Sequence, residues 1–156
     1  MEVTGEHVFY APRDQVWAAL LDPESLRNSI PGCESLTASG ERRYDMALKV
    51  GIASINGSYT GTVSIEDVLP EDSYRLVVSG RGKPGAVSGD GKLDFIADGD
   101  RTRVHYVGAV TAQGAISRLG NRLLGGAARL LIGQFMKAME TEVARRTNAK
   151  DRATQP

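Results

Sequence analysis

Between residues 33 and 112 the chain alternates apolar and polar residues repeatedly, with turn residues and no helical segment between the alternating stretches. Met46 and Leu48 show the period of two that is typical of a strand with one buried face. Turn pairs such as Asn56-Gly57 separate these stretches and favour hairpins. Because strands and helices do not alternate, the pattern disfavours a parallel doubly wound sheet and predicts an antiparallel meander.

The segments on either side of this meander differ from it. Residues 2–10 read as a further strand, and Pro12 and Pro23 then begin two short helices. After the meander, apolar residues recur at helical spacing from about residue 115 to about residue 146. This last segment predicts a helix of ~45 Å.

The order of these elements predicts an α+β fold in which a seven-stranded antiparallel sheet wraps around the long C-terminal helix. The two short helices after the first strand would close one end of the sheet. We expect one domain over residues 1–147 and a polar C-terminal tail over residues 148–156. No internal repeat or interdomain linker is visible in the sequence.

Glycine stands repeatedly at inward positions of the predicted strands, where a core would ordinarily place Val, Ile or Leu. Residues at i and i+2 of a strand share a face, so Gly80 continues the inward row of Val78. Such glycines either leave space for a ligand or allow strong coiling of the sheet and close packing of the helix. Small residues in the helix, including Gly125, Gly126 and Gly133, favour the first alternative, since a mid-helix glycine is about 1 kcal/mol less favourable than alanine.

Composition excludes several classes of protein. The chain has 156 residues, is 41% hydrophobic, and contains 19 basic and 19 acidic residues, so no overall charge favours nucleic acid. Cys33 is the only cysteine, which excludes an intramolecular disulfide. The apolar stretch from Leu123 to Phe135 is shorter than the ~20 residues of a membrane span, and no signal peptide fits the first strand. We therefore expect a cytoplasmic protein.

The sequence shows no arrangement typical of a catalytic or metal site. No spacing of His, Cys, Asp and Glu resembles a metal site, and no motif places a base beside a Ser or Cys nucleophile. We expect no metal, no required cofactor and no catalytic residue. His7 is interpreted as a structural histidine and Cys33 as a small buried hydrophobic residue.

The segment Ile30–Leu36, IPGCESL, resembles the signature of the carbon monoxide dehydrogenase G-subunit family. Support comes from Ala11–Trp17, from Gly89-Xxx-Gly91, and from Arg118–Leu124 at the start of the last helix. This family is part of the START-like, or SRPBCC, superfamily, whose helix-grip fold is that of START and Bet v 1 proteins. The resemblance implies an accessory protein that links a molybdenum hydroxylase to the membrane and its quinone pool.

We interpret the residues that face the predicted cavity as a ligand-binding set, with ordinary core packing as the alternative for its aromatic members. The set comprises Trp17, Ile30, Met46, Leu48, Tyr59, Gly61, Val78, Gly80, Gly89, Gly91, Tyr106, Gly108, Leu123, Leu124, Ala127, Ala128 and Leu131.

Two further groups are candidates for external contacts. Ile52 and Ile55 would expose apolar side chains at the cavity mouth or at a membrane-touching tip, unless they pack as ordinary loop residues. Arg118, Arg122 and Arg129 would meet an acidic partner or anionic lipid, unless they form a solvated helix face.

The leading hypothesis is a protein that binds a quinone or isoprenoid lipid and couples a molybdenum hydroxylase to the inner face of the membrane. One alternative is a docking or assembly factor that acts through its outer surface without a ligand. Another is a small START-like cyclase or hydrolase that uses scattered pocket residues such as His7 or Tyr106.

Overall fold

The computed structural model describes residues 1–52 and 55–154, with side chains through residue 149. Its elements follow the order expected from the sequence. They are strand β1 (Glu2–Phe9), helices α1 (Arg13–Leu21) and α2 (Pro23–Ser29), strands β2 (Cys33–Gly40), β3 (Arg43–Val50), β4 (Gly57–Leu69), β5 (Ser73–Gly82), β6 (Gly85–Asp98) and β7 (Arg101–Gln113), a 3₁₀ turn (Ala115–Leu119) and helix α3 (Gly120–Thr154).

The described strands form one seven-stranded antiparallel sheet in the order β1-β7-β6-β5-β4-β3-β2. Strands β2 to β7 pair consecutively as hairpins, while β1 pairs with β7, so that Gly5 lies opposite Tyr106. The sheet wraps around α3, and α1 and α2 cover one end. The predicted α+β helix-grip fold is therefore confirmed.

Aromatic side chains fill the space beneath α1. The ring of Trp17 meets Phe95 edge-on, with 4.9 Å between centroids, and lies 5.8 Å from the ring of Tyr74. The buried Tyr74 hydroxyl donates to the Leu20 carbonyl at 3.3 Å. Because each ring packs on the others and the hydroxyl is hydrogen-bonded, this end of the domain is a conventional dry core.

Polar contacts fasten the C-terminal half of α3 to the rest of the domain. The carboxylate of Glu142, which is buried, accepts hydrogen bonds from Asn28 of α2 at 3.1 Å and from Arg145 at 2.8 Å. On β1, His7 Nε2 lies 2.7 Å from the carboxylate of Glu140. These contacts hold α2 and β1 against the same half of the helix.

The structure corrects both ends of the predicted last helix. Residues 115–119 form a 3₁₀ turn, and α3 begins only at Gly120, whose φ of 81° accommodates the change in direction. The helix then continues to Thr154, so residues 148–154 are helical rather than a separate tail, and the predicted boundary at residue 147 falls inside it. Residues 155–156 lie outside the described part. None of the described helices has the length and apolarity required to cross a membrane.

Two exposed glycines in the interior of α3 give a test of the helix. A Cβ added at Gly126 or Gly133 would meet nothing within 4 Å. We expect Gly126→Ala and Gly133→Ala each to raise the free energy of unfolding by about 1 kcal/mol, since alanine is the better helix former. Gly61→Ala should instead destabilise the protein, because its Cβ would overlap the backbone of Ser79. Urea denaturation of the three variants measures the change in the free energy of unfolding. A change of the same sign in all three variants would contradict these predictions.

The buried carboxylate of Glu142 predicts a pH-dependent contribution to stability. Burial alone would raise its pKa, but the hydrogen bonds from Arg145 and Asn28 and the charge of Arg145 outweigh it, so the pKa lies below its ordinary value of 4.5. A lowered folded-state pKa stabilises the fold above the unfolded-state pKa, and this contribution disappears as the pH falls through the folded-state value.

We therefore expect Glu142→Gln to lower the free energy of unfolding by about 1–3 kcal/mol at pH 7, and the difference from the wild type to shrink below pH 4.5. Urea midpoints between pH 7 and pH 3 provide the measurement. Glu41→Gln, at a side chain that is 87% exposed, is the matched control and should change little. A pH-independent effect at Glu142 would contradict the assignment.

Candidate functional site

A cavity of about 380 Å³ lies between the inner face of the sheet and the N-terminal half of α3. Its volume falls within the range of small-molecule pockets. It lies between two hydrophobic clusters, one around Phe95 beneath α1 and the other around Tyr59 and Ile116 at the opposite end of the sheet. The side chains that face it are almost all apolar. This arrangement suits an apolar guest.

Most of the residues predicted to bind a ligand line this cavity. They are Ile30, Met46, Leu48, Tyr59, Val78, Gly80, Gly89, Gly91, Tyr106, Gly108, Leu124, Ala127, Ala128 and Leu131. Their position on the wall is a structural fact, while their contact with a ligand stays a prediction.

Three residues of the predicted set lie elsewhere. Trp17 belongs to the aromatic core under α1, since α1 covers the end of the sheet rather than the cavity. Gly61 packs against the backbone of Ser79 on the neighbouring strand. Leu123 is 54% exposed, because one residue of helical rotation turns it away from the side that Leu124 presents to the cavity.

The inward glycines are of two kinds. Some leave open space, and others allow two strands to approach closely. At Gly80 and Gly89 an added Cβ would have its nearest neighbour at 4.0 Å, so these residues leave space. Gly91 and Gly108 lie opposite each other on β6 and β7, and a Cβ on either would come within 3.3 Å of the other's Cα. The first pair opens the cavity, and the second lets two strands curve closely around it.

The sequence interpretation missed part of the wall. Leu76, Val87 and Leu93 share strand phases with predicted residues, and extending those phases would have found them. Phe135 likewise lies four residues after Leu131 on α3, and Ile132 lies four residues after Ala128. Other missed residues are Val3, Leu26, Pro31, Val50, Val63, Tyr74, Asp90, Val107, Ala109, Val110, Ile116 and Met136.

The loop predicted to expose Ile52 and Ile55 turns inward where the structure describes it. Ile55 is only 7% exposed and lines the cavity, and its carbonyl accepts a hydrogen bond from Tyr59 at 2.7 Å. Ile52 is half-buried against the hydrophobic cluster around Tyr59 and Ile116. The expected exposed apolar tip is therefore wrong for Ile55, and residues 53 and 54 lie outside the described residues.

The three candidate arginines lie along the start of the last helical segment. Arg118 belongs to the 3₁₀ turn, Arg122 and Arg129 belong to α3, and all three are exposed. Within residues 1–52 and 55–149, no ion pair is found for any of them. Arg122 and Arg129, seven residues apart, share one side of α3, whereas Arg118 lies before the change of direction at Gly120.

Ionisable groups do not converge on the cavity. The described residues contain no group of three or more His, Cys, Asp and Glu side chains that could hold a metal ion. Burial raises the pKa of the half-buried Cys33 thiol, as expected for a hydrophobic rather than a nucleophilic cysteine. His7 does not line the cavity and instead contacts Glu140.

Several solved structures are similar to this protein over almost the whole chain. A conserved protein from Geobacillus kaustophilus shares 34% identity, with a TM-score of 0.90 over 93% of this chain and 96% of its own. A START superfamily protein from Mycobacterium smegmatis shares 13% identity, with a TM-score of 0.71 over 92% of this chain and 97% of its own. The Zhui aromatase/cyclase from a Streptomyces species shares 17% identity, with a TM-score of 0.67 over 94% of this chain and 95% of its own.

The curated proteins contain no match to this chain. Residues 5–144 match the family of the carbon monoxide dehydrogenase G subunit (CoxG). The matched residues include almost the whole sheet and most of α3. The resemblance carried by Ile30–Leu36 is thus confirmed. The chain belongs to the CoxG family, the G-subunit family of carbon monoxide dehydrogenase.

Proposed function

We propose that this protein takes a quinone or a similar isoprenoid lipid into the cavity between sheet and helix. By doing so it would couple a molybdenum hydroxylase of the carbon monoxide dehydrogenase type to the inner face of the membrane. The observation that carries the proposal is the 380 Å³ apolar cavity, whose wall leaves space at Gly80 and Gly89.

The energetics of such binding follow from the wall. Each 100 Å² of apolar ligand surface that leaves water contributes about 2.5 kcal/mol, before the entropy lost on association is subtracted. The side chains that face the cavity offer few hydrogen bonds, so most of the affinity would come from this apolar contact. A ring or chain of low polarity is therefore the guest that the cavity fits.

Membership of the CoxG family supports an accessory role. In such a role the protein would shield an apolar redox carrier from water while the carrier moves between the enzyme and the membrane. The hydroxylase partner and the peripheral membrane contact are parts of this same proposal.

A cyclase or hydrolase is the enzymatic alternative, and one structural neighbour is an aromatase/cyclase. At 17% identity that likeness concerns the fold alone. The cavity wall as described does not include His7, which was one of the two side chains suggested for catalysis. We therefore favour a carrier over an enzyme.

Filling the cavity tests the carrier. In Gly89→Leu, we expect the new side chain to enter the open space and to weaken binding of the neutral fluorescent probe N-phenyl-1-naphthylamine at least tenfold. Fluorescence titration measures the affinity, and circular dichroism verifies the fold. Gly91→Leu is less suitable, since its Cβ would lie 3.2 Å from the Val107 carbonyl.

Gly40→Leu is the matched control for this experiment. Gly40 is exposed on β2, and its Cβ would make ordinary contact with Arg43 at 3.6 Å. It should bind the probe as the wild type does. If a folded Gly89→Leu protein bound the probe unchanged, the proposed site would be wrong.

A second candidate function is docking without a ligand, which the unpaired arginines favour. We expect the double variant Arg122→Glu, Arg129→Glu to weaken binding to a purified molybdenum hydroxylase at least tenfold and to remove its salt dependence. Surface plasmon resonance at two salt concentrations measures this. Under this hypothesis Gly89→Leu would bind the hydroxylase normally.

The double variant Arg43→Glu, Arg81→Glu changes the net charge equally at two exposed arginines outside α3. It should leave hydroxylase binding intact. Equal losses in both double variants would show an effect of net charge and would contradict a specific face.

A further inference from the structure

The cavity wall contains few polar side chains, and all but one of them already have partners. Within the described residues, the polar side chains on the wall belong to Tyr59, Tyr74 and Tyr106. The Tyr59 hydroxyl donates to the Ile55 carbonyl, and that of Tyr74 donates to the Leu20 carbonyl.

Asp90 lines the cavity through its backbone, because its exposed side chain points to the face of the sheet opposite to that of Gly89 and Gly91. Its carboxylate accepts two hydrogen bonds from the guanidinium of Arg75, which hold its pKa below the ordinary range. A carboxylate held in this bidentate pair is not free to orient a guest.

The backbone of β6 offers no substitute. Strand β6 pairs with β5 from Gly82↔Gly85 to Ser73↔Asp94, and with β7 from Ala86↔Gln113 to Asp98↔Arg101. In such continuous ladders the N–H and carbonyl groups bond to neighbouring strands, even where glycine removes the side chain. Beside β6, an oxygen atom on a guest must therefore find a side-chain partner or remain unpaired.

Tyr106 is the exception among these groups. No described residue forms a hydrogen bond with its hydroxyl, and its half-buried ring lines the cavity. The ring lies over Gly5, its cross-strand neighbour on β1, at a place where a Cβ would overlap the ring and the hydroxyl. The missing side chain of Gly5 thus leaves the space in which the Tyr106 ring and hydroxyl lie.

We propose that the Tyr106 hydroxyl is the specificity-determining contact of the cavity. It selects apolar molecules that carry a carbonyl or hydroxyl oxygen over hydrocarbons of the same shape. This inference rests on the proposed function, since it requires that the cavity bind a ligand. A hydrogen bond made inside an apolar wall discriminates in this way, because the molecule without the oxygen leaves the protein group unpaired.

Two probes with one carbon skeleton separate the hydrogen bond from apolar contact. The compounds 2,3-dimethyl-1,4-naphthoquinone and 2,3-dimethylnaphthalene differ in two oxygens, and the methyl groups block the carbons at which thiols such as Cys33 add. Displacement of N-phenyl-1-naphthylamine gives the affinity of each. We expect Tyr106→Phe to weaken binding of the quinone about five- to tenfold and to change binding of the hydrocarbon less than twofold.

Two further variants complete the test. Tyr59→Phe removes a hydroxyl that is bonded to the backbone, so it should shift the two affinities by the same factor. Gly5→Ala should displace the Tyr106 ring and reproduce the selective loss of quinone binding. Thermal unfolding of each variant verifies that it is folded.

The outcomes separate the role of Tyr106 from the proposed binding of a ligand in the cavity. If the wild type binds both probes and Tyr106→Phe weakens both equally or neither, the role of Tyr106 is overturned and the cavity site stands. If the wild type binds neither probe, the proposed function fails, and the inference fails with it.

Discussion

The structure depends on how tightly a seven-stranded sheet can curve around one helix. Side chains on the inner face resist this curvature, because they fill the concave side. Where Gly91 faces Gly108, the backbones of β6 and β7 approach so closely that a Cβ on either residue would lie within 3.3 Å of the other's Cα and would push the strands slightly apart. The same close approach occurs where Gly61 packs against Ser79. These missing side chains therefore help the sheet to wrap around the helix and the cavity.

The helix within the sheet has two different halves. Its C-terminal half carries Glu140 and Glu142, which contact β1 and α2 through their carboxylates. Its N-terminal half faces the cavity, and among the described residues no side-chain hydrogen bond or ion pair joins residues 120–135 to the sheet. Apolar contact alone holds that half, and the exposed Gly126 and Gly133 lower its helix propensity. The fold is therefore most firmly fastened away from the cavity and least firmly fastened over it.

Sequence patterns predicted the elements, their order and 14 of the 32 residues that line the cavity, because each depends on local periodicity. They failed where a position depends on three-dimensional neighbours. The inward phase of Gly61 is correct as a strand pattern, but only the structure shows that the Ser79 backbone occupies the space beside it. Trp17 has the burial expected of a pocket residue, yet its ring packs on Phe95. Leu123 and Leu124 show the limit of helical spacing, since a single residue separates an exposed side chain from one on the wall.

The apolar wall of the cavity links packing to ligand binding. Side chains that face the 380 Å³ space lack the close contacts on that side that a packed core provides. Larger side chains at Gly80 and Gly89, where there is room, would supply some of these contacts. A ligand would supply them as well, and it would stabilise the folded state by mass action wherever it binds the native protein alone. The glycines that leave the cavity open thus make the stability of this fold depend on what occupies it.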